Sequence, residues 1–236
     1  MATFGSHGAL DPVVPMDAEK FRHVRRRFDY VLHVTAAATP KVIVFDLFGV
    51  IARHQTSEAK QQIEALAGVA GEPFWKAYWG HRPDYDAGQA SRDYWAIVAR
   101  ELGTSYSLET IDALIDADLE SWSEVDERMV ALIGEVAAGG RTLGLLSNII
   151  EDLVPRFEAK HGAWLSHFTS LTYSCRIGVA KPDPRAYQIC AQRLGVATSD
   201  ALFFDDNERN VAAARETGMA AELFTSPEQV RARLGL

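Results

Sequence analysis

The chain has 236 residues, 47% hydrophobic and 24% charged, which suits a folded globular enzyme of one large domain, or one domain carrying a smaller insert. Its net charge of −8 excludes a nucleic-acid binder that works by neutralising phosphates. No apolar run approaches a membrane span, and Cys175 and Cys190, far apart and with no secretory signal ahead of them, predict reduced thiols in a soluble, cytoplasmic chain.

Residues 1–15 carry Gly, Pro and Ser without periodicity and are expected to be loose. Between Asp17 and Ala38, Phe21, Val24, Phe28, Val31 and Leu32 recur at helical spacing and predict one helix on the outside of the domain, stopped by Pro40. Its cluster Arg25-Arg26-Arg27 reads as a solvated helix face. KVIVFDLFGV, residues 41–50, follows. Four β-branched or aromatic residues in a row, Val42 to Phe45, suit a strand buried on both faces, as in a parallel sheet. Asp46 then stands at the strand's carboxyl end, where open α/β sheets bind ligands.

Residues 57–125 read as helices throughout: SEAKQQIEALAGVA, PFWKAYWGH, ASRDYWAIVARELG and LETIDALIDADLESW all show three- and four-residue apolar spacing. The sheet then resumes. A helix over 124–138 stops at Gly139-Gly140; RTLGLLSN is a second apolar strand ending in Ser147-Asn148, and a helix over 150–161 follows. SLTYSCRIG is a strand leading to the loop with Lys181, PRAYQICAQRLG a helix, ALFFDD a buried strand and NVAAARETG a helix. AAELF is a last strand, and SPEQVRARL a closing helix capped by Ser226. This alternation predicts an α/β fold, a parallel sheet flanked by helices with right-handed crossovers and an inserted all-helical lid. The expected organisation is an extension over 1–40, a core over 41–56 and 126–236, and the lid over 57–125.

Three strands therefore end in polar groups: Asp46; Ser147-Asn148; and Asp205-Asp206, with Asn207 and Asn210 beyond. In a parallel sheet these ends share one crevice. Three carboxylates meeting there repel one another and call for a cation, and an oxygen-only donor set suits Mg²⁺ completed by water and a substrate phosphate. Ser147, the nearby backbone amides and Lys181 complement an anion. An ionised Asp beside Mg²⁺ can attack phosphorus. Taken singly, Ser147 is a helix cap, Lys181 a surface lysine and Asp205-Asp206 a turn; their joint occurrence favours the site.

FDLFGV, LLSN, GVAKPDP and FFDDNERN, in this order, resemble the four motifs of the haloacid dehalogenase superfamily of hydrolases, over about residues 41–225. RPDYDAGQASRDYW is similar to part of that family's helical cap. The resemblance implies a Rossmann-like parallel sheet under a mobile helical cap, and a Mg²⁺-dependent phosphatase working through a phospho-aspartyl intermediate on a small phosphorylated metabolite. It implies Asp46 as nucleophile, and the Phe48 carbonyl and Asp206 as metal ligands with Asp46. Asp205 would act through a metal-bound water, Ser147 and Asn148 would hold phosphoryl oxygens, and Lys181 would balance charge.

One position departs. The family's phosphatases usually carry a second Asp two residues after the nucleophile as general acid and base, and this chain has Phe48. General acid catalysis is worth about 10²–10⁴-fold, so three readings follow. A phosphatase could act on a leaving group that needs little protonation, such as a sugar 1-phosphate, or take its proton from His54; some family phosphatases with a similar last motif also lack the second Asp. A 2-haloacid dehalogenase has an aromatic at the same place, and Tyr187 and Asn207 suit it, but Asp205 and Asp206 would crowd a metal-free halide site with anions. A phosphonatase using Lys76 stands behind both. A phosphate-binding scaffold disabled by Phe48 is the third reading, opposed by the retained Asp46, Lys181, Asp205 and Asp206. The lid should set specificity. Within Trp75, Tyr78, Trp79, His81, Arg82 and Tyr85 the aromatics read mostly as lid core, with His81 and Arg82 as weaker candidates for substrate contact than Arg53 and His54. The oligomeric state is not encoded in any pattern found.

Overall fold

The computed structural model describes residues 40–236, so the helix expected over 17–38 lies outside the described residues. The chain folds around a five-stranded, wholly parallel sheet: β1 (Val42–Phe45), β2 (Thr142–Ser147), β3 (Ser170–Tyr173), β4 (Ala201–Asp205) and β5 (Ala220–Leu223). The order across the sheet is β3-β2-β1-β4-β5, which puts β1 at the centre. Its side chains alternate between two cores. Ile43 and Phe45 join Leu143, Leu145, Leu202 and Phe204 on one face, and Val42 and Val44 join Leu146, Ala201 and Phe203 on the other. Burial on both faces is why the strand carries no polar alternation. Gly144 on β2 is needed for close packing: a Cβ there would lie 2.6 Å from Leu194 Cδ1 and 3.3 Å from Val44 Cγ2.

The stretch after β1 is helical, as its spacing predicts: α1 (Ser57–Ala67), α2 (Glu72–Gly80), α3 (Arg82–Asp86), α4 (Ser91–Glu101) and α5 (Leu108–Ser121). Thr56 and Ser107 cap α1 and α5 by accepting from Ala59 N at 3.2 Å and Thr110 N at 3.1 Å. The interior of these helices is aromatic, with Phe74, Tyr78, Tyr85, Tyr94 and Trp95 all at most 1% exposed. The chain returns through α6 (Glu127–Ala138) to β2, and α7 (Leu153–Leu165), α8 (Ser174–Ile177), α9 (Pro184–Arg193), α10 (Glu208–Glu216) and α11 (Pro227–Leu234) complete the layers. None of the described helices is long and apolar enough to cross a membrane.

The helix expected over 150–161 runs instead from Leu153 to Leu165, and two further boundaries differ from the sequence pattern, each for a local reason. The helix expected from residue 124 begins at Glu127, because the two connections to the helical insertion pair with each other first. Arg53 N donates to Glu124 O at 2.9 Å and Asp126 N to Ile51 O at 2.8 Å. The strand expected across SLTYSCRIG stops at Tyr173, which pairs with Ser147, the last residue of β2. With no further ladder partner the chain coils into α8, closed by Gly178 at φ 68°.

Candidate active site

Register alone brings the first two carboxylates together. Phe45 lies opposite Phe204 in the β1–β4 ladder, and Asp46 N donates to Phe204 O at 2.9 Å. Asp46 and Asp205 therefore leave the sheet side by side, from neighbouring strands and in the same direction. Lys181, from the loop between α8 and α9, reaches in between them. Its Nζ lies 2.6 Å from Asp46 Oδ1 and 2.7 Å from Asp205 Oδ2, and the residue is only 5% exposed.

The three carboxylates are not equivalent. Asp205 is fully buried, and protein donors occupy both of its oxygens. Asn207 N donates to Oδ1 at 2.8 Å, and Asn210 Nδ2 sits 3.1 Å from each oxygen. Asp46 Oδ1 accepts from Leu47 N at 2.7 Å as well as from Lys181, whereas its Oδ2 has no donor among the described residues. Asp206 holds His54 Nε2 at 2.9 Å through Oδ2, and its Oδ1 is likewise without a donor among the described residues. Asp46, Asp205 and Asp206 can each bring an oxygen within 4.8 Å of the others. Two open carboxylate oxygens, backed by a saturated third carboxylate, fit a hard divalent cation that keeps water in its shell.

The electrostatics point the same way. Burial pushes the Asp46 carboxyl well above the usual carboxylate range; Lys181 opposes that shift, and Asp205 and Asp206 add to it. Burial works against the charge on Lys181, but Asp46 and Asp205 outweigh it and raise its pKa. His54 is raised chiefly by its hydrogen bond to Asp206. One ammonium against three carboxylates leaves an excess of negative charge, which a divalent cation would relieve.

Gly49 makes the arrangement possible. Its φ is +84°, and a Cβ there would fall 2.0 Å from Asp206 Oδ2 and 2.8 Å from His54 Nε2. Only a residue without a side chain allows Asp206 and His54 to close over that turn.

These groups open onto a cavity of about 600 Å³ between the sheet rim and the helical insertion. Asp46, Phe48, His54, Asn148, Lys181 and Asp206 line it. Asn148 faces it, yet its amide is committed to the Lys181 backbone: Nδ2 donates to Lys181 O at 2.9 Å, and Oδ1 accepts from Lys181 N at 2.8 Å. Ser147 is fully buried behind the rim, with Oγ 3.4 Å from Asn148 O. Arg53 points elsewhere. Its Nε donates to Val125 O at 3.2 Å, and it lines a separate hollow with Asp126 and Arg128. His81 lies 3.7 Å from Glu101, and Lys76 is exposed; neither lines the cavity.

The residues that the sequence ranked lower form the opposite wall. Arg82 lines the cavity from inside the insertion, paired with Asp86 at 2.9 Å and Asp118 at 3.4 Å and hydrogen-bonded to Tyr78 OH. Its guanidinium carbon lies 5.2–5.9 Å from the ring centroids of Tyr78, Trp79, Tyr85 and Trp122. Trp79, expected among the lid-core aromatics, is 47% exposed and lines the cavity with Trp122. Arg209, one residue into α10, lines it as well. Proximity in chain to Asp46 favoured Arg53 in the sequence; the hairpin with Glu124 turns that side chain away.

Comparison with known proteins agrees with this geometry. Residues 40–218 match the haloacid dehalogenase-like hydrolase family. A phosphatase of Mycobacterium tuberculosis is 30% identical over 196 residues, which is 80% of this chain and 89% of the relative. An (S)-2-haloacid dehalogenase of Pseudomonas putida is 27% identical over 191 residues, 75% of this chain and 80% of the relative. A HAD family enzyme of Bacteroides thetaiotaomicron, solved in complex with magnesium and inorganic phosphate, superposes with a TM-score of 0.59 at 17% identity. That superposition covers 79% of this chain and 94% of the other.

Proposed function

The chain belongs to the haloacid dehalogenase-like hydrolases, and from that premise we propose that it is a Mg²⁺-dependent phosphatase acting on a small phosphorylated molecule. The observation that carries the proposal is Lys181 bridging Asp46 and Asp205, with Asp206 close enough to complete an oxygen cluster. Asp206 would hold the ion through its open oxygen, with the Phe48 carbonyl and the Asp46 carboxylate, while Asp205, expected to act through a bound water, has its oxygens taken by Lys181, Asn207 and Asn210 and would instead fix Lys181. The ion would offset phosphate charge and polarise the phosphoryl group.

Asp46 attacks phosphorus through Oδ2. Oδ1 cannot serve as well, being held by Leu47 N and Lys181. Lys181 favours the ionised form of Asp46 against its burial and meets the phosphoryl oxygens as charge moves onto them. With Ser147 buried, those oxygens are held by Lys181 and by backbone amides at the end of β2, while the Asn148 side chain fixes the Lys181 loop. Water then attacks the phospho-aspartyl group, restores Asp46 and releases inorganic phosphate. The helical insertion acts as a lid, excluding bulk water and presenting Trp79, Arg82 and Trp122 to the rest of the substrate.

Asp46→Asn, nearly isosteric, is expected to fold normally and to lose phosphatase activity against a panel of phosphate monoesters assayed with Mg²⁺. Full activity in that variant would refute the mechanism. Phe48 favours a second reading, the metal-free 2-haloacid dehalogenase. The two separate on a chelator, since a phosphatase of this kind loses activity in EDTA and recovers it with Mg²⁺, and a dehalogenase is indifferent to both.

A further inference from the structure

The aromatic wall bears on what the substrate's other half must be, an inference that rests on the phosphatase reading. Phe48, two residues after the attacking carboxylate, lines the same cavity as Asp46. Its ring meets Trp122 edge-on at 5.1 Å, and Trp122 meets Trp79 at 6.2 Å. All three line the cavity, Phe48 against Trp122 and Trp122 against Trp79. Trp79 is 47% exposed although Phe74, Ala77 and Tyr78 on the same helix are at most 3% exposed. The indole thus presents water-covered surface inside a cavity, where a flat ligand would gain most from covering it. The cation on this wall offers little to an anion, because Asp86 and Asp118 already compensate Arg82.

Chemistry narrows the choice further. Phe48 cannot protonate the departing oxygen, and the Nε2 of His54, the other candidate donor, is held by Asp206 at 2.9 Å, so a leaving group stable as an anion is favoured. An aliphatic alcohol, like water, is a far weaker acid than a phenol, which resembles tyrosine with a pKa of about 10. We infer that the substrate is a small aryl phosphate, its ring seated on Phe48, Trp122 and Trp79. Asp46 oxygen bonds to phosphorus as the bond from phosphorus to the phenolic oxygen breaks. The bonding pair stays on the phenolate, which takes its proton from solvent. Water oxygen then bonds to phosphorus as the link to Asp46 breaks, and inorganic phosphate carries away the water protons.

The test compares phenyl phosphate with cyclohexyl phosphate, similar in size but saturated, with acetyl phosphate as a ringless acyl phosphate whose leaving group is the weak base acetate, all with Mg²⁺. Phenyl phosphate should exceed cyclohexyl phosphate in kcat/KM by at least about 10²-fold. Trp79→Ala should raise KM for phenyl phosphate roughly three- to tenfold, and Trp79→Phe should restore most of the loss. If acetyl phosphate turns over but the phenyl and cyclohexyl esters react alike, or Trp79→Ala leaves KM for phenyl phosphate unchanged, the inference falls and the phosphatase reading stands. If none of the three phosphates turns over, both fall.

Discussion

Replacing Phe48 by Asp tests the missing proton donor directly. The side chain is half-buried, lines the cavity and touches Trp122 and Phe157 edge-on, at 5.1 and 6.2 Å. Removing a fully buried Phe costs about 3–5 kcal/mol, so a half-buried one should cost about 2 kcal/mol. For a chain of this size that lowers the melting temperature by roughly 4–8 °C, which the fold should survive. The new carboxyl would stand beside Asp46 and Asp206, and their charge would keep it protonated to higher pH than an isolated Asp. That is the state a general acid needs. The gain should be selective: about 10²–10⁴-fold in kcat/KM for an alkyl phosphate, and little for 4-nitrophenyl phosphate, whose leaving group departs unaided. Steady-state kinetics on the two esters, with wild type and variant, provide the measurement. An equal change on both esters would refute the assignment of residue 48 as the empty acid position, and so would no change on either.

Gly49→Ala should destabilise the fold by about 1–2 kcal/mol from the positive φ and abolish the Mg²⁺ response by displacing Asp206, seen as loss of both activation and Mg²⁺-dependent thermal shift. Asn148→Ala removes both clamps on the Lys181 backbone and should cost about 1–3 kcal/mol in denaturant melts, with kcat falling more than KM rises. Asp118→Ala leaves Arg82 short of a buried partner and should cost about 3–5 kcal/mol, whereas Asp118→Asn, still able to accept from Tyr78 OH, should cost less; equal losses would contradict the charge argument. Gly144→Ala drives a methyl into Leu194 and should cost about 1–3 kcal/mol without changing KM.

What the sequence disclosed, and what it withheld, follows from how each residue is fixed. Asp46 and Asp205 were legible because a buried strand must end, and in a parallel sheet neighbouring ends share a rim; the Phe45–Phe204 register then leaves no freedom. Lys181 and Asp206 were legible through their motifs. The helices of the insertion were legible from apolar spacing, but their relation to the cavity was not. Trp79 and Tyr78 are adjacent on one helix, and periodicity cannot say that Tyr78 will be buried while Trp79 lines the cavity, because that depends on how α2, α3 and α5 pack. Arg82 was undervalued for the same reason: its partner Asp118 lies 36 residues away, on another helix. Arg53 is near Asp46 in sequence but turned from it in space, its Nε donating to Val125 O. The pairing of residues 51–53 with 124–126 decides this, and no one-dimensional pattern announces it.

Binding and chemistry are therefore built on parts of different stiffness. Asp46, Asp205 and Lys181 are held by a central ladder, a fully buried carboxylate and a clamped loop, so their geometry changes only if the sheet does. Asp206 and His54 lie over Gly49, half-buried and exposed respectively, and depend on a single turn. Trp79 and Arg82 belong to helices joined to the sheet by two strands of chain that pair at Arg53–Glu124 and Asp126–Ile51. A small rotation about that pairing would move Trp79, Arg82 and Trp122 relative to Asp46 and Phe48 without disturbing the carboxylates. Substitutions in the insertion should accordingly change which leaving group is accepted, and substitutions at the rim whether any is released at all.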